Sequence, residues 1–504
     1  MTTDIESIAS SFLSELSRWE HFREVRDLLD WDMRTGSPRK AASLRSETVG
    51  VISDEMFRLK TSPRFGEYLL RLQDPGVASS LSKDVRRIVA LEAREYERNR
   101  KIPQERYQKF AVLVAKAGAI WEEAKETSNF ALYRPYLEQV VAMKREFVDY
   151  FGYREHPYDA LLDEYEPGMT VAKLDPVFAY LRDETVKLLQ SIVNSGCTLP
   201  GDLLVGDFDK ASQRELSVQL LEQMGYDFEA GRLDESIHPF QTTINRFDAR
   251  VTTNFRAHHI DFALFSTLHE GGHALYEQGI NPEFAGTPLS AGASLGLHES
   301  QSRFWENMIG RSMEFWQAYY GRVQTLFPQF RDVPVSEFHK AVNEVKPSLI
   351  RIEADELTYN LHIMVRYEIE KSLVTGDIKV SDLPEIWREK MKDYLGIVPG
   401  DDATGVLQDV HWSDGSIGYF PTYTLGNVYS AQFRHQLQKE MPDYLNEIKR
   451  GNLLGIREWL KEKIHRFGNS EDPVDILTRV TGEELNAKYL VDYLNEKFRE
   501  LYNL

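Results

Sequence analysis

The sequence predicts a mainly α fold: a large helical body around a central groove, with a small β-sheet beside the helix that carries His269-Glu-Gly-Gly-His273. Three observations carry this. Apolar residues recur at three- and four-residue steps through most of the 504 residues, as on helices with one buried stripe. β-Branched residues between turn formers are confined to the stretch from Tyr226 to Phe255. No internal repeat, low-complexity tract or Pro/Gly/Ser-rich linker divides the chain, so one domain is expected over 1–504, as one body or two lobes around the groove.

The first stripe runs from Asp4 to Asp32 through Ile5, Ile8, Phe12, Leu16, Trp19, Phe22 and Leu29, and Thr-Gly-Ser-Pro at 35–38 ends it. Similar stripes cover 82–130, 171–193 and 211–224, and later 347–374, 423–439, 453–466 and 485–503. Between them, Thr242-Thr243-Ile244 and Arg250-Val251-Thr252-Thr253 read as short strands. A small sheet just before the histidine motif offers a free edge to which a peptide can add as a strand.

Composition narrows the function classes. Hydrophobic residues at 42% and charged residues at 28% describe an ordinary globular chain. The net charge of −19 lacks the basic footprint of a nucleic-acid binder, so no nucleic-acid partner is expected. No uncharged apolar run approaches the roughly 20 residues of a membrane span, and the acidic N-terminus has no secretory pattern. One cysteine, Cys197, can form neither an internal disulfide nor a thiolate-rich metal site. A cytoplasmic protein is expected, with no membrane partner.

The decisive stretch is Leu268 to Glu277. Phe262, Phe265 and Leu268 place it within a helix, and four residues advance a helix by about 400°. His269 and His273 therefore point the same way, one turn apart, and can share one zinc ion. Glu270, about 100° further round, stands beside the metal and can take a proton from a water bound there. Gly271 and Gly272 each cost about 1 kcal/mol against alanine in a helix, which implies a packing or access reason. Ser294 opens another amphipathic helix, and Glu299 lies 26 positions after His273 (299 − 273) across a Pro- and Gly-containing connection. Two histidines and one carboxylate leave a fourth zinc position open, the arrangement of a catalytic site. Co2+ or Mn2+ would also suit these ligands. His298 cannot share the direction of Glu299 and is read either as lining the groove or supporting the ligands, or as a plain structural residue.

With these residues in place the chain resembles the carboxypeptidase Taq family of zinc metallocarboxypeptidases. His238-Pro239-Phe240 is similar to the family's HPF element, and Asp248-Ala-Arg250-Val-Thr252 to its DxRxT element. HExxH follows at 269–273, then His298-Glu299-Ser300-Gln301, Ile350-Arg351-Ile-Glu-Ala354-Asp355 and Gly405-Val-Leu-Gln408-Asp409-Val-His411-Trp412. Met33 to Lys40, after the family-like Trp31-Asp32, departs from the usual wording. The resemblance implies a cytoplasmic, mostly helical homodimer with a deep groove, which removes C-terminal residues with broad specificity and resists proline.

An enzyme of that kind must hold a free α-carboxylate, which a guanidinium does with two parallel hydrogen bonds. Arg351 and Arg250 are the candidates inside family elements, and His238 is a further substrate-binding candidate. His411 and Tyr423 suit the donors to a tetrahedral oxyanion, by analogy with other helical zinc peptidases. Asp355 either orients a ligand imidazole or pairs with Arg351. The same constellation also serves an oligopeptidase cutting within short peptides. A catalytically silent zinc protein would not need Glu270.

Overall fold

The computed structural model describes residues 2–504, with side chains from residue 5 onward. Helices dominate, and a single three-stranded sheet lies among them. The first stripe becomes one long N-terminal helix, Thr2–Thr35, which stops at the Gly-Ser-Pro break. The 82–130 stretch is two helices rather than one, Lys83–Lys101 and Gln104–Glu126, because Pro103 has no N–H to continue the first. The expected helix over 347–374 begins only at Tyr359 and runs to Thr375. The preceding segment is loop with a short turn at Arg351–Glu353, so Arg351 is not on a helix surface.

The sheet holds both expected strands and one more. Strands β1 (Leu233–Glu235), β2 (Gln241–Asn245) and β3 (Asp248–Thr253) lie in the order β1-β3-β2. β1 runs parallel to β3 with Leu233 opposite Val251, and β2 runs antiparallel with Thr242 opposite Arg250. Three residues are too few for an alternation to show, which is why β1 was not legible. The N-terminal helix lies along the other edge, where Arg23 donates to the Thr243 carbonyl at 3.1 Å.

Two further helices position the site. The motif helix, Ile260–Gly279, is fastened to β3 through the Thr253 hydroxyl, 2.6 Å from Ser266 Oγ. The carboxylate helix, Leu295–Arg303, opens at Ser294, whose hydroxyl accepts from the Leu297 N–H at 3.0 Å. It then widens into a π turn over Phe304–Ile309. The two meet at Gly272, where a Cβ would stand 2.5 Å from the Gln301 carbonyl oxygen and 2.7 Å from Ser302 Cα. A closely similar approach brings in a third helix, Pro421–Glu440, since a Cβ on its Gly426 would come within 2.7 Å of Glu299 Cβ. The buried residues of these helices belong to one hydrophobic core, which includes Leu268, Trp305 and Tyr429.

Candidate active site

His269, His273 and Glu299 converge. The Nε2 atoms of His269 and His273 stand 3.5 and 3.4 Å from Glu299 Oε2. Ligands about 2.0–2.2 Å from a tetrahedral zinc stand about 3.3–3.6 Å apart, so this spacing and the two-nitrogen, one-oxygen donor set fit that ion. Among the described residues these three form the group able to hold a metal.

Each ligand is braced from behind. His269 Nδ1 lies 2.9 Å from Glu306 Oε2, which leaves Nε2 for a metal. His273 Nδ1 lies 2.5 Å from His298 Nδ1, and His298 Nε2 lies 2.9 Å from Glu277 Oε1. The supporting reading of His298 is thus the one its geometry matches. Glu299 Oε1 accepts from Arg303 Nε at 2.7 Å, and Arg303 also reaches Glu306 at 3.1 Å. Burial alone would raise the Glu299 carboxyl, but Arg303 and the two histidines hold it far below the usual range. Burial pushes the His273 imidazole down to about 3, which keeps it neutral, as a ligand must be.

Glu270 takes no part in this cluster's hydrogen bonds. It is 7% exposed and has no hydrogen-bond partner among the described residues. Burial pushes its carboxyl up to about 7, against the pull of His269.

On the helix that meets Glu299 at Gly426, Tyr423 Oη stands 3.5 Å from His411 Nε2, and the Tyr419 ring lies between 5 and 6 Å from both rings. Burial lowers His411 to about 4, and Arg351 and Arg366 lower it further against Asp409. Burial followed by the nearby Glu299 carboxylate raises the Tyr419 phenol. These rings therefore stay neutral and can donate hydrogen bonds next to the metal ligands.

The remaining expected residues are placed differently. Arg351 is buried, with Nε and a terminal nitrogen on Asp409 Oδ1 at 3.1 and 2.8 Å and another on Tyr359 Oη at 3.0 Å. Its partner is Asp409, not Asp355. Asp355 touches no ligand imidazole: it accepts from the N–H groups of Lys346, Leu357 and Thr358, closing the loop ahead of the Tyr359 helix. A short carboxylate followed by free N–H groups caps a turn before it reaches further. Arg250 is held by Asp248 at 2.7 and 2.6 Å and lies over the Trp31 ring. His238 is exposed in the β1–β2 connection, and its imidazole has no hydrogen bond or ring contact to a described residue.

Glu306, Arg303, Glu277 and Tyr419 were missed. Arg303 and Glu306 follow Glu299 by four and seven positions (303 − 299; 306 − 299), one helical face, and that spacing was the available signal. Gly271 and Gly272 do have packing reasons, against Leu221 and Met224 for the first and the carboxylate-helix backbone for the second.

Residues 11–498 match the model of the carboxypeptidase Taq (M32) metallopeptidase family. The chain is 46% identical over 502 residues to carboxypeptidase 1 of Bacillus subtilis, covering 99% of this chain and 100% of that one. It is 41% identical over 488 residues to thermostable carboxypeptidase 1 of Thermus thermophilus, with 94% and 95% covered. The crystal structure of the M32 carboxypeptidase from Deinococcus radiodurans R1 superposes with a TM-score of 0.96 at 36% identity, covering 99% of this chain and 100% of that one.

Proposed function

This chain belongs to the carboxypeptidase Taq (M32) metallopeptidase family, and from that premise we propose that it releases C-terminal amino acids from peptides at a zinc ion held by His269, His273 and Glu299. It is a metallocarboxypeptidase, a peptide hydrolase. The observation that carries the proposed site is the 3.4–3.5 Å spacing of three ligand atoms, each braced by its own partner.

Zinc bound there supplies Lewis acidity that makes water a nucleophile at neutral pH. Glu270 takes the proton released as water attacks the scissile carbonyl, and returns it to the leaving amine. Tyr423, with His411 beside it, donates to the oxyanion as the carbonyl becomes tetrahedral. Arg351 and Asp409 hold the Arg351–Glu353 turn and the Asp409–His411 segment together, which sets where His411 stands.

Broad specificity with proline resisted, a cytoplasmic location and a homodimer complete the proposal, and they rest on the family resemblance. Peptides bind in a groove between the sheet side and the His411–Tyr423 side. Cleavage of N-blocked dipeptides with free and with amidated C-termini, read by mass spectrometry, tests the function. Loss of one residue from free acids alone is expected. Equal cutting of both would replace the reading with an oligopeptidase, and light scattering of the purified chain tests the dimer.

A further inference from the structure

The arginines around the metal-ligand cluster are mostly committed. Arg250 is held by Asp248, Arg351 by Asp409, and Arg303 by Glu299 and Glu306. Turning a bidentate fork to a substrate would break these ion pairs, and Arg351 is held by Tyr359 Oη as well as by the Asp409 carboxylate it shares with Arg366. Arg34, in the last turn of the N-terminal helix, differs. It is exposed and makes no hydrogen bond or ion pair with any described residue. Its guanidinium carbon sits 3.5 Å from the centroid of the Phe240 ring. Stacking of this kind fixes the plane of the fork and leaves the N–H groups at its rim open.

Its position ties it to the site. The N-terminal helix crosses the sheet side with Arg23 on the Thr243 carbonyl and Trp31 against Arg250, which brings its end over Phe240. Phe240 leads directly into β2. The Val251 N–H is used by the Arg232 carbonyl on the β1 side, so Gln241, opposite Val251, turns its own N–H and carbonyl away from β3. Arg23 of the N-terminal helix takes the Thr243 carbonyl on that same side, so what stays open at the start of β2 is the main chain of Gln241, with which a peptide main chain can pair. The same arginine lies within the field of Glu270 and of Asp30, neither within ion-pair distance. The sheet that carries Phe240 is fastened to the motif helix through Thr253 and Ser266, which puts Arg34 on the sheet side of the helix that bears Glu270.

We infer that Arg34, stacked on Phe240 at the free end of β2, is a carboxylate-binding residue of the substrate groove. The carboxylate it takes is either the α-carboxylate of the peptide or an acidic side chain near the C-terminus. The inference rests on the proposed peptide-hydrolysing site and gives that site its missing uncommitted cation. It also removes a repulsion, since a carboxylate brought towards Glu270 without a counter-charge is disfavoured.

The test uses the full-length, zinc-loaded enzyme and its Arg34→Ala and Arg34→Lys variants. Four N-blocked dipeptides serve as substrates: free acid or amide, each with alanine or glutamate as the penultimate residue. Loss of a charge-assisted fork should lower kcat/KM about 10- to 100-fold, mainly through KM, with partial recovery in Arg34→Lys. A fall shared by both free acids, carried by KM and partly recovered in Arg34→Lys, assigns the α-carboxylate; a fall confined to the glutamate free acid assigns the side chain. Unchanged kinetics, or a fall in kcat alone that Arg34→Lys does not recover, with zinc content and melting unchanged, would overturn the inference. The carboxypeptidase reading fails separately, if the unmodified enzyme cuts amides as well as acids; the glutamate comparison still decides Arg34 in that case.

Discussion

Replacing Gly272 by alanine should damage the metal site without touching a ligand. A Cβ there would lie 2.5 Å from the Gln301 carbonyl oxygen and 2.7 Å from Ser302 Cα, where ordinary contact begins at 3.4 Å. The motif and carboxylate helices must then separate by about 0.7–0.9 Å, the difference between those distances. Both contacts are backbone, so no rotamer relieves them. Over-packing of this kind costs about 1–3 kcal/mol, offset by about 1 kcal/mol of helix propensity gained over glycine. Overall stability should therefore change by only about 0–2 kcal/mol. The metal is less forgiving, because ligand distances hold within about 0.2 Å, and the shift moves Glu299 away from both histidines. Zinc affinity should fall about 10- to 100-fold, as it does when a ligand's support is lost. Gly271→Ala is the control: its Cβ would meet the side-chain ends of Leu221 and Met224, which can turn away. Competition with a fluorescent chelator measures both variants beside urea unfolding. If Gly272→Ala binds zinc as tightly as its parent, or Gly271→Ala proves the weaker binder, the close-approach argument is wrong.

Three other outcomes are expected. Glu270→Gln should keep its zinc and lose about 10²–10⁴-fold in kcat, because the carboxylate handles protons and braces no ligand; metal analysis beside turnover checks this. Glu306→Gln should weaken zinc binding about 10- to 100-fold by loosening His269, while Glu277→Gln should act more mildly through His298, as chelator competition will show. Asp409 should make the fold acid-sensitive. Arg351 and Arg366 hold its carboxyl, despite burial, far below its unfolded value of about 3.9, so its stabilisation is complete above that pH and declines as pH falls below it. Asp409→Asn should cost about 3–5 kcal/mol at pH 7 and flatten the loss of stability between pH 5 and 3, measured by denaturant titration; an unchanged slope would show that the carboxylate carries no such linkage.

What was legible in the sequence was what local geometry controls. Helical periodicity aims His269 and His273 the same way whatever surrounds them, and the apolar stripes mark helices because each needs one buried face. The doubled glycine announced a close packing before its partner was known. The interval after His273 and the helix opened by Ser294 made Glu299 the candidate third ligand, and the resemblance to family elements marked out Arg351 and Arg250. The partners of charged side chains were not legible. Arg351 could be expected to meet a carboxylate, but whether Asp355, four positions away, or Asp409, 58 away, depended on how two loops approach. Asp355 was already satisfied by N–H groups of its own loop, a local claim that wins before any tertiary contact forms. Arg34 gained its meaning only when the end of the first helix was laid over Phe240, some 200 residues later in the chain (240 − 34 = 206). Periodicity sets direction within an element; only packing between elements decides which charge is answered and which is left for a ligand.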